Sequence, residues 1–213
     1  MIEGLLASSV LVICPHTDDE FGCAGTIARM VREGVEVRYL ALSRCEESVP
    51  SGLPIDTLER ECRRCVGTLG LPPSHIDVRR FRVRTFPAQR QEILELLVEY
   101  RNRLGPRTVL VPSCSDVHQD HEVVAREAFR AFKHSTVLGY ELPQNLPNFP
   151  ATAFVRLEAA DLDSKCAALA QYGSQRFRRY ASTEVIRSIA TVRGMQSATE
   201  YAEAFEALRV VVR

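Results

Sequence analysis

The stretch from Val10 to Thr26 constrains this chain more than any other. Val10, Leu11, Val12, Ile13 and Cys14 make an apolar run of strand length. Pro15-His16-Thr17-Asp18-Asp19-Glu20 follows, then Gly22 and Gly25 among small residues, then the helical pattern Ile27, Ala28, Arg29, Met30 and Val31. This reads as a buried strand, a turn and the start of a helix. In open α/β sheets ligands sit beyond the carboxyl ends of the strands, which places His16, Asp18 and Asp19 where chemistry happens. The acids also stand near a helix N-terminus, where the dipole favours negative charge.

His16 and Asp19 offer nitrogen and oxygen donors three residues apart on a turn, a spacing that can bring them onto one ion. Zn²⁺ accepts such ligands and in catalytic sites keeps a position for water. Asp18 and Asp19 are adjacent, so their side chains diverge: one can bind the ion while the other addresses the water. A second cluster, Asp116 to His121, follows the strand-like run Arg107 to Pro112. Ser115 or Asp116 is expected to cap the ensuing helix. His118 and His121, three apart, share one face of its first turn. Asp120 points elsewhere and can accept a hydrogen bond from an imidazole, orienting it.

Pro15-His16-Thr17-Asp18-Asp19-Glu20, with Gly22, Gly25 and Thr26 behind it, resembles the Pro-His-Pro-Asp-Asp-Glu signature of the LmbE/PIG-L family of zinc-dependent de-N-acetylases. His118-Gln119-Asp120-His121 is similar to that family's His-Pro-Asp-His. Lys165, Ser174-Gln175, Arg193-Gly194 and Tyr201 to Phe205 are similar to its C-terminal elements. Thr17 departs from the usual Pro, which removes no functional group. The resemblance implies that His16, Asp19 and His121 bind Zn²⁺ and that Asp18 is the general base. It also implies that His118, with Asp120 behind it, stabilises the oxyanion or donates a proton. The substrate would be a small N-acetylated molecule, a sugar or sugar conjugate.

Other parts of the chain supply candidate substrate contacts. The polar segment Ser43 to Pro54 follows the second strand, Val35 to Leu42, and should border the same crevice, with Arg44 and Glu46 as contacts. Arg60 lies on the next helix, Thr57 to Leu69, whose Cys62 and Cys65 read as small buried residues. From Ile76 to Arg84 the alternation predicts a strand with Arg80, Arg82 and Arg84 on its solvated face; Arg84 and Arg90 are the candidates for a substrate phosphate. The Pro-rich loop 143–150 is placed over the site. Tyr201 to Leu208 reads as a last helix, with Tyr201, Phe205 and Leu208 on one face.

Strands alternating with helices argue a single α/β domain over residues 1–213, Rossmann-like, with a mostly parallel sheet and helices on both faces. Lys+Arg and Asp+Glu are both 27, so the basic excess of a nucleic-acid binder is missing. No apolar run reaches the length of a membrane span, the first residues lack the basic start of a signal peptide, and seven cysteines at irregular spacing suit a reducing cytoplasm. A homo-oligomer stays open. Two alternatives also stay open: the same metal chemistry on another N-acyl substrate, such as a thiol-cofactor or antibiotic precursor, and a Rossmann-like nucleotide-binding module. Against the module, the first turn carries acids where G-x-G-x-x-G would cradle a pyrophosphate.

Overall fold

The computed structural model describes residues 9–178 and 181–212. One seven-stranded sheet organises them. In chain order the elements are β1 (Ser9–Cys14), α1 (Ala24–Arg32), β2 (Glu36–Ala41), α2 (Thr57–Thr68), β3 (Ile76–Val78), α3 (Arg90–Leu104), β4 (Thr108–Pro112), α4 (Gln119–Ala131), β5 (Thr136–Tyr140), β6 (Ala153–Leu157), α5 (Ala159–Leu169), α6 (Thr183–Gln196) and β7 (Tyr201–Arg209). The strand order is β3-β2-β1-β4-β5-β7-β6. The first five are mutually parallel, and β7 runs antiparallel to both β5 and β6.

The apolar run of β1 is buried on both sides, and its residues alternate between two cores. Val10, Val12 and Cys14 pack with Ile27 and Met30 of α1, Leu58 and Cys62 of α2, Leu162 of α5 and Ile186 of α6. Leu11 and Ile13 face Ile93 and Leu97 of α3 and Val124 and Ala128 of α4. This is the expected doubly wound layer with helices on both faces. Among the described residues no helix is long and apolar enough to cross a membrane.

The order 3-2-1-4-5 places a topological switch point between β1 and β4. There the connection from β1 leads to one side and that from β4 to the other, opening a crevice at their carboxyl ends. The two acid- and histidine-bearing loops leave the sheet on either side of this crevice.

Two expected elements are different. The strand predicted over Ile76 to Arg84 ends at Val78. Beyond it Arg79 and Phe81 donate backbone hydrogen bonds to Ala41 and Leu42, and the chain then turns, with Arg84 at a φ of 67°. Arg80 and Arg82 reach Glu46 and Glu47 of the facing loop, so the alternation arises in a loop with buried Val83 beneath it. The predicted last helix is instead β7. Tyr201 to Leu208 lacks β-branched residues and has a helical spacing of aromatics, yet β5 and β6 supply hydrogen-bonding partners along both its edges. Packing context overrides intrinsic preference there.

Candidate metal centre

The first loop is held by the sheet itself. Leu42 and Ser43 donate to the carbonyls of Cys14 and Pro15, carrying the β1–β2 pairing one step into the turn. Asp19 Oδ2 accepts the His16 amide at 2.8 Å, closing a tight loop that a 3-10 turn, Asp19–Gly22, continues. A Cβ on Gly22 would lie 2.6 Å from the Tyr140 ring and 2.7 Å from the Glu141 carbonyl, so only glycine lets this turn press against the end of β5.

The second loop is built on Asp116. Its Oδ1 accepts the His118 amide at 2.8 Å, and its Oδ2 lies 2.8 Å from Nδ1 of His121. The helix cap is His118, whose Nδ1 accepts the Asp120 amide at 3.2 Å; neither Ser115 nor Asp116 caps α4. Nε2 is then the ring nitrogen that His118 has left for a ligand.

These two loops bring three donor atoms together. His16 Nδ1 is 3.2 Å from Asp19 Oδ2, His121 Nε2 is 3.3 Å from Asp19 Oδ2, and His121 Nε2 is 3.1 Å from His16 Nδ1. A tetrahedral ion with bonds of about 2.0–2.1 Å separates its ligands by roughly 3.3–3.4 Å. The triangle is therefore close to one face of such a shell. The three imidazoles of residues 16, 118 and 121 also present nitrogens within 4.8 Å of one another, which puts His118 beside the triangle.

Electrostatics point the same way. Burial pushes the Asp19 carboxyl up, but the imidazoles of His121 and His16 outweigh it and hold it well below the usual range. Burial lowers both imidazoles, yet Asp19 and the carboxylates behind each ring raise His16 to about 8 and His121 to about 10. Buried donors that draw positive charge into the space between them suit a cation. The set, two imidazoles and one carboxylate, fits a catalytic zinc site.

Each of these two rings has its own carboxylate. Asp116 serves His121, and Asp120 Oδ2 stands 3.0 Å from Nε2 of His16. This corrects the placement of Asp120 behind His118: its side chain leaves the first turn of α4 toward the other loop, where it also accepts the amides of Arg84 at 2.6 Å and Phe86 at 3.2 Å. Asp18 diverges from Asp19 and lies 4.0 Å from Nη1 of Arg178. Burial and its neighbour Asp19 raise its carboxyl, against Arg178 and His16.

Over the centre lies a cavity of about 250 Å³ that His16, Asp18, Asp19, His118 and His121 line. Of the expected substrate contacts only Arg84 lines it. Arg44 pairs with Glu59 at 2.9 Å, Glu46 with Arg80 at 3.9 Å and Arg60 with Asp56 at 3.2 Å, all outside its walls. Arg90 is bound by buried Glu127. Sequence reasoning passed over Asp116 as the partner of His121, five residues on, a pairing that no helical or strand spacing signals. It also missed Arg178, which no local pattern signals, and Gln175 as a cavity residue. The Pro-rich loop does reach the site, through Gln144 and Asn145.

A family model described as PIG-L, GlcNAc-PI de-N-acetylase, matches residues 11–132, which includes both loops. The chain belongs to the PIG-L family. No curated protein matches this PIG-L chain. Among solved structures it is similar to a conserved protein from Thermus thermophilus, with 28% identity, a TM-score of 0.78 and 96% of each chain covered. It also shares its fold with the 4-carboxy-2-hydroxymuconate hydratase of Pseudomonas putida, at 20% identity and a TM-score of 0.76, over 97% of this chain and 98% of that one. A third is the N,N'-diacetylchitobiose deacetylase of Pyrococcus horikoshii, at 21% identity and a TM-score of 0.70, over 93% and 82%. The hydratase and the deacetylase show the fold alone.

Proposed function

We propose that this PIG-L chain is a single-domain, zinc-dependent hydrolase that removes the N-acetyl group from an amino sugar or amino-sugar conjugate. The observation that carries this reading is the triangle of His16 Nδ1, Asp19 Oδ2 and His121 Nε2 with Asp18 beside it. Family membership supports amide hydrolysis.

His16, Asp19 and His121 would hold the ion, which supplies acidification of a water and polarisation of a carbonyl. Asp18 takes the proton of the attacking water; its raised carboxyl, facing the cavity, suits a base. Burial and the neighbouring imidazoles lower the His118 pKa, so this ring works as a neutral donor to the oxygen that gains charge. Asp120 and Asp116 fix the ligand rings by their far nitrogens. Arg84, Gln144 and Asn145 line the cavity and would meet sugar hydroxyls. Five buried thiols without disulfide partners support a reducing cytoplasmic setting.

The test is acetate release from a panel of N-acetylated sugars, nucleotide sugars and thiol-cofactor or antibiotic precursors, with zinc present, then chelated, then restored. Release that follows the metal supports the reading. Silence across the panel in zinc-loaded protein removes it.

A further inference from the structure

Two cavities meet at Asp18. Beside the polar one over the imidazoles lies a second, of about 200 Å³ and mostly apolar, walled by Phe21, Leu169, Ala170 and Tyr172 together with Arg176 and Ser182. Asp18, Gln175 and Arg178 line both. Gln175 is 4% exposed, and its Oε1 has no hydrogen-bond partner among the described residues. A buried acceptor in that state is unfavourable unless a ligand or an ordered water donates to it. The N–H of an amide held at Asp18 is such a donor.

A secondary amide is planar and trans, so its acyl group and its amine substituent depart in opposite directions. With the scissile bond at Asp18, a sugar on the nitrogen suits the polar cavity of Arg84, Gln144 and Asn145, and the acyl group faces the apolar one. An acetyl methyl fills only a small part of that space. The geometry points to an enzyme whose acyl specificity extends beyond acetyl, to straight-chain N-acyl amino sugars such as N-butanoyl and N-hexanoyl glucosamine. This rests on the hydrolase reading above. Water adds its oxygen to the carbonyl carbon, the C–N bond breaks, and the amine leaves with the water's proton, giving an alkanoate and a free amino sugar.

The experiment compares N-acetyl-, N-butanoyl- and N-hexanoylglucosamine with zinc-loaded protein and with Ala170→Phe, which fills the apolar cavity from an exposed position; Thr183→Phe on the same cavity stands in if that variant misfolds. In the unsubstituted protein kcat/KM should rise about fourfold per added methylene, on the order of 10²-fold from acetyl to hexanoyl. The filled variant should lose that gradient. A second arm titrates hexanoate and acetate into chelator-treated protein by calorimetry. Hexanoate should bind on the order of 10²-fold tighter than acetate, given the same increment per methylene, and the filled variant should erase the difference. A series that falls from acetyl to hexanoyl, or hexanoate held no tighter than acetate, overturns the proposal. Tight hexanoate binding without turnover of any amide supports the acyl cavity and overturns the hydrolase reading instead.

Discussion

Asp120 Oδ2 lies 3.0 Å from Nε2 of His16, although 104 residues separate them, and the same carboxylate accepts the amides of Arg84 and Phe86. One fully buried carboxylate thus ties the loop of His16, the start of α4 and the segment after β3 into one body.

Asp120→Asn should therefore weaken metal retention, by about 10–100-fold if it behaves as other carboxylates behind a ligand histidine do. Competition with a chelator of known affinity measures this. Unchanged zinc affinity together with reduced turnover would return Asp120 to His118.

Asp18→Asn should keep its zinc and lose about 10²–10⁴ in turnover, the usual worth of a general base. Elemental analysis alongside steady-state kinetics separates the two effects. Near-normal activity in this variant takes Asp18 out of the role.

His121→Ala opens the donor triangle and leaves Asp116 facing a void. Bound metal should fall well below one ion per chain, and chelator should no longer lower the melting temperature, since stabilisation by a ligand requires that it bind the native state. His118→Ala should retain the ion and lose turnover; loss of zinc there would make the third imidazole a ligand.

Lys165 and Glu203 form a buried pair at 2.6 Å, and the Glu203 carboxylate also accepts the amides of Gly25 and Thr26 at the start of α1. Lys165→Met leaves a buried charge without its partner, so it should cost about 3–5 kcal/mol in urea unfolding. Adding Glu203→Gln should recover part of that loss. Strictly additive effects in the double-mutant cycle would show that the two side chains act independently.

The acid-and-imidazole turns were legible because each is local: a strand end, a tight loop and a helix start hold their own donors within six residues. The pairing of β7 was not legible, because Tyr201 to Leu208 carries a helical spacing and becomes a strand only between β5 and β6. Nor was the fate of Arg80 to Arg84, whose alternation resembles an edge strand but belongs to a loop that turns under Asp120.

By itself, the order of residues determined the parallel α/β layer and the nature of the donors, since burial of an unbroken apolar run and the chemistry of His and Asp need no distant partner. The tertiary structure alone decided which carboxylate backs which imidazole, and that Gln175 and Arg178 join Asp18 between two cavities. Those relationships span from five to more than a hundred residues of chain, and only the packing of separate loops at the switch point between β1 and β4 brings such side chains within hydrogen-bonding range.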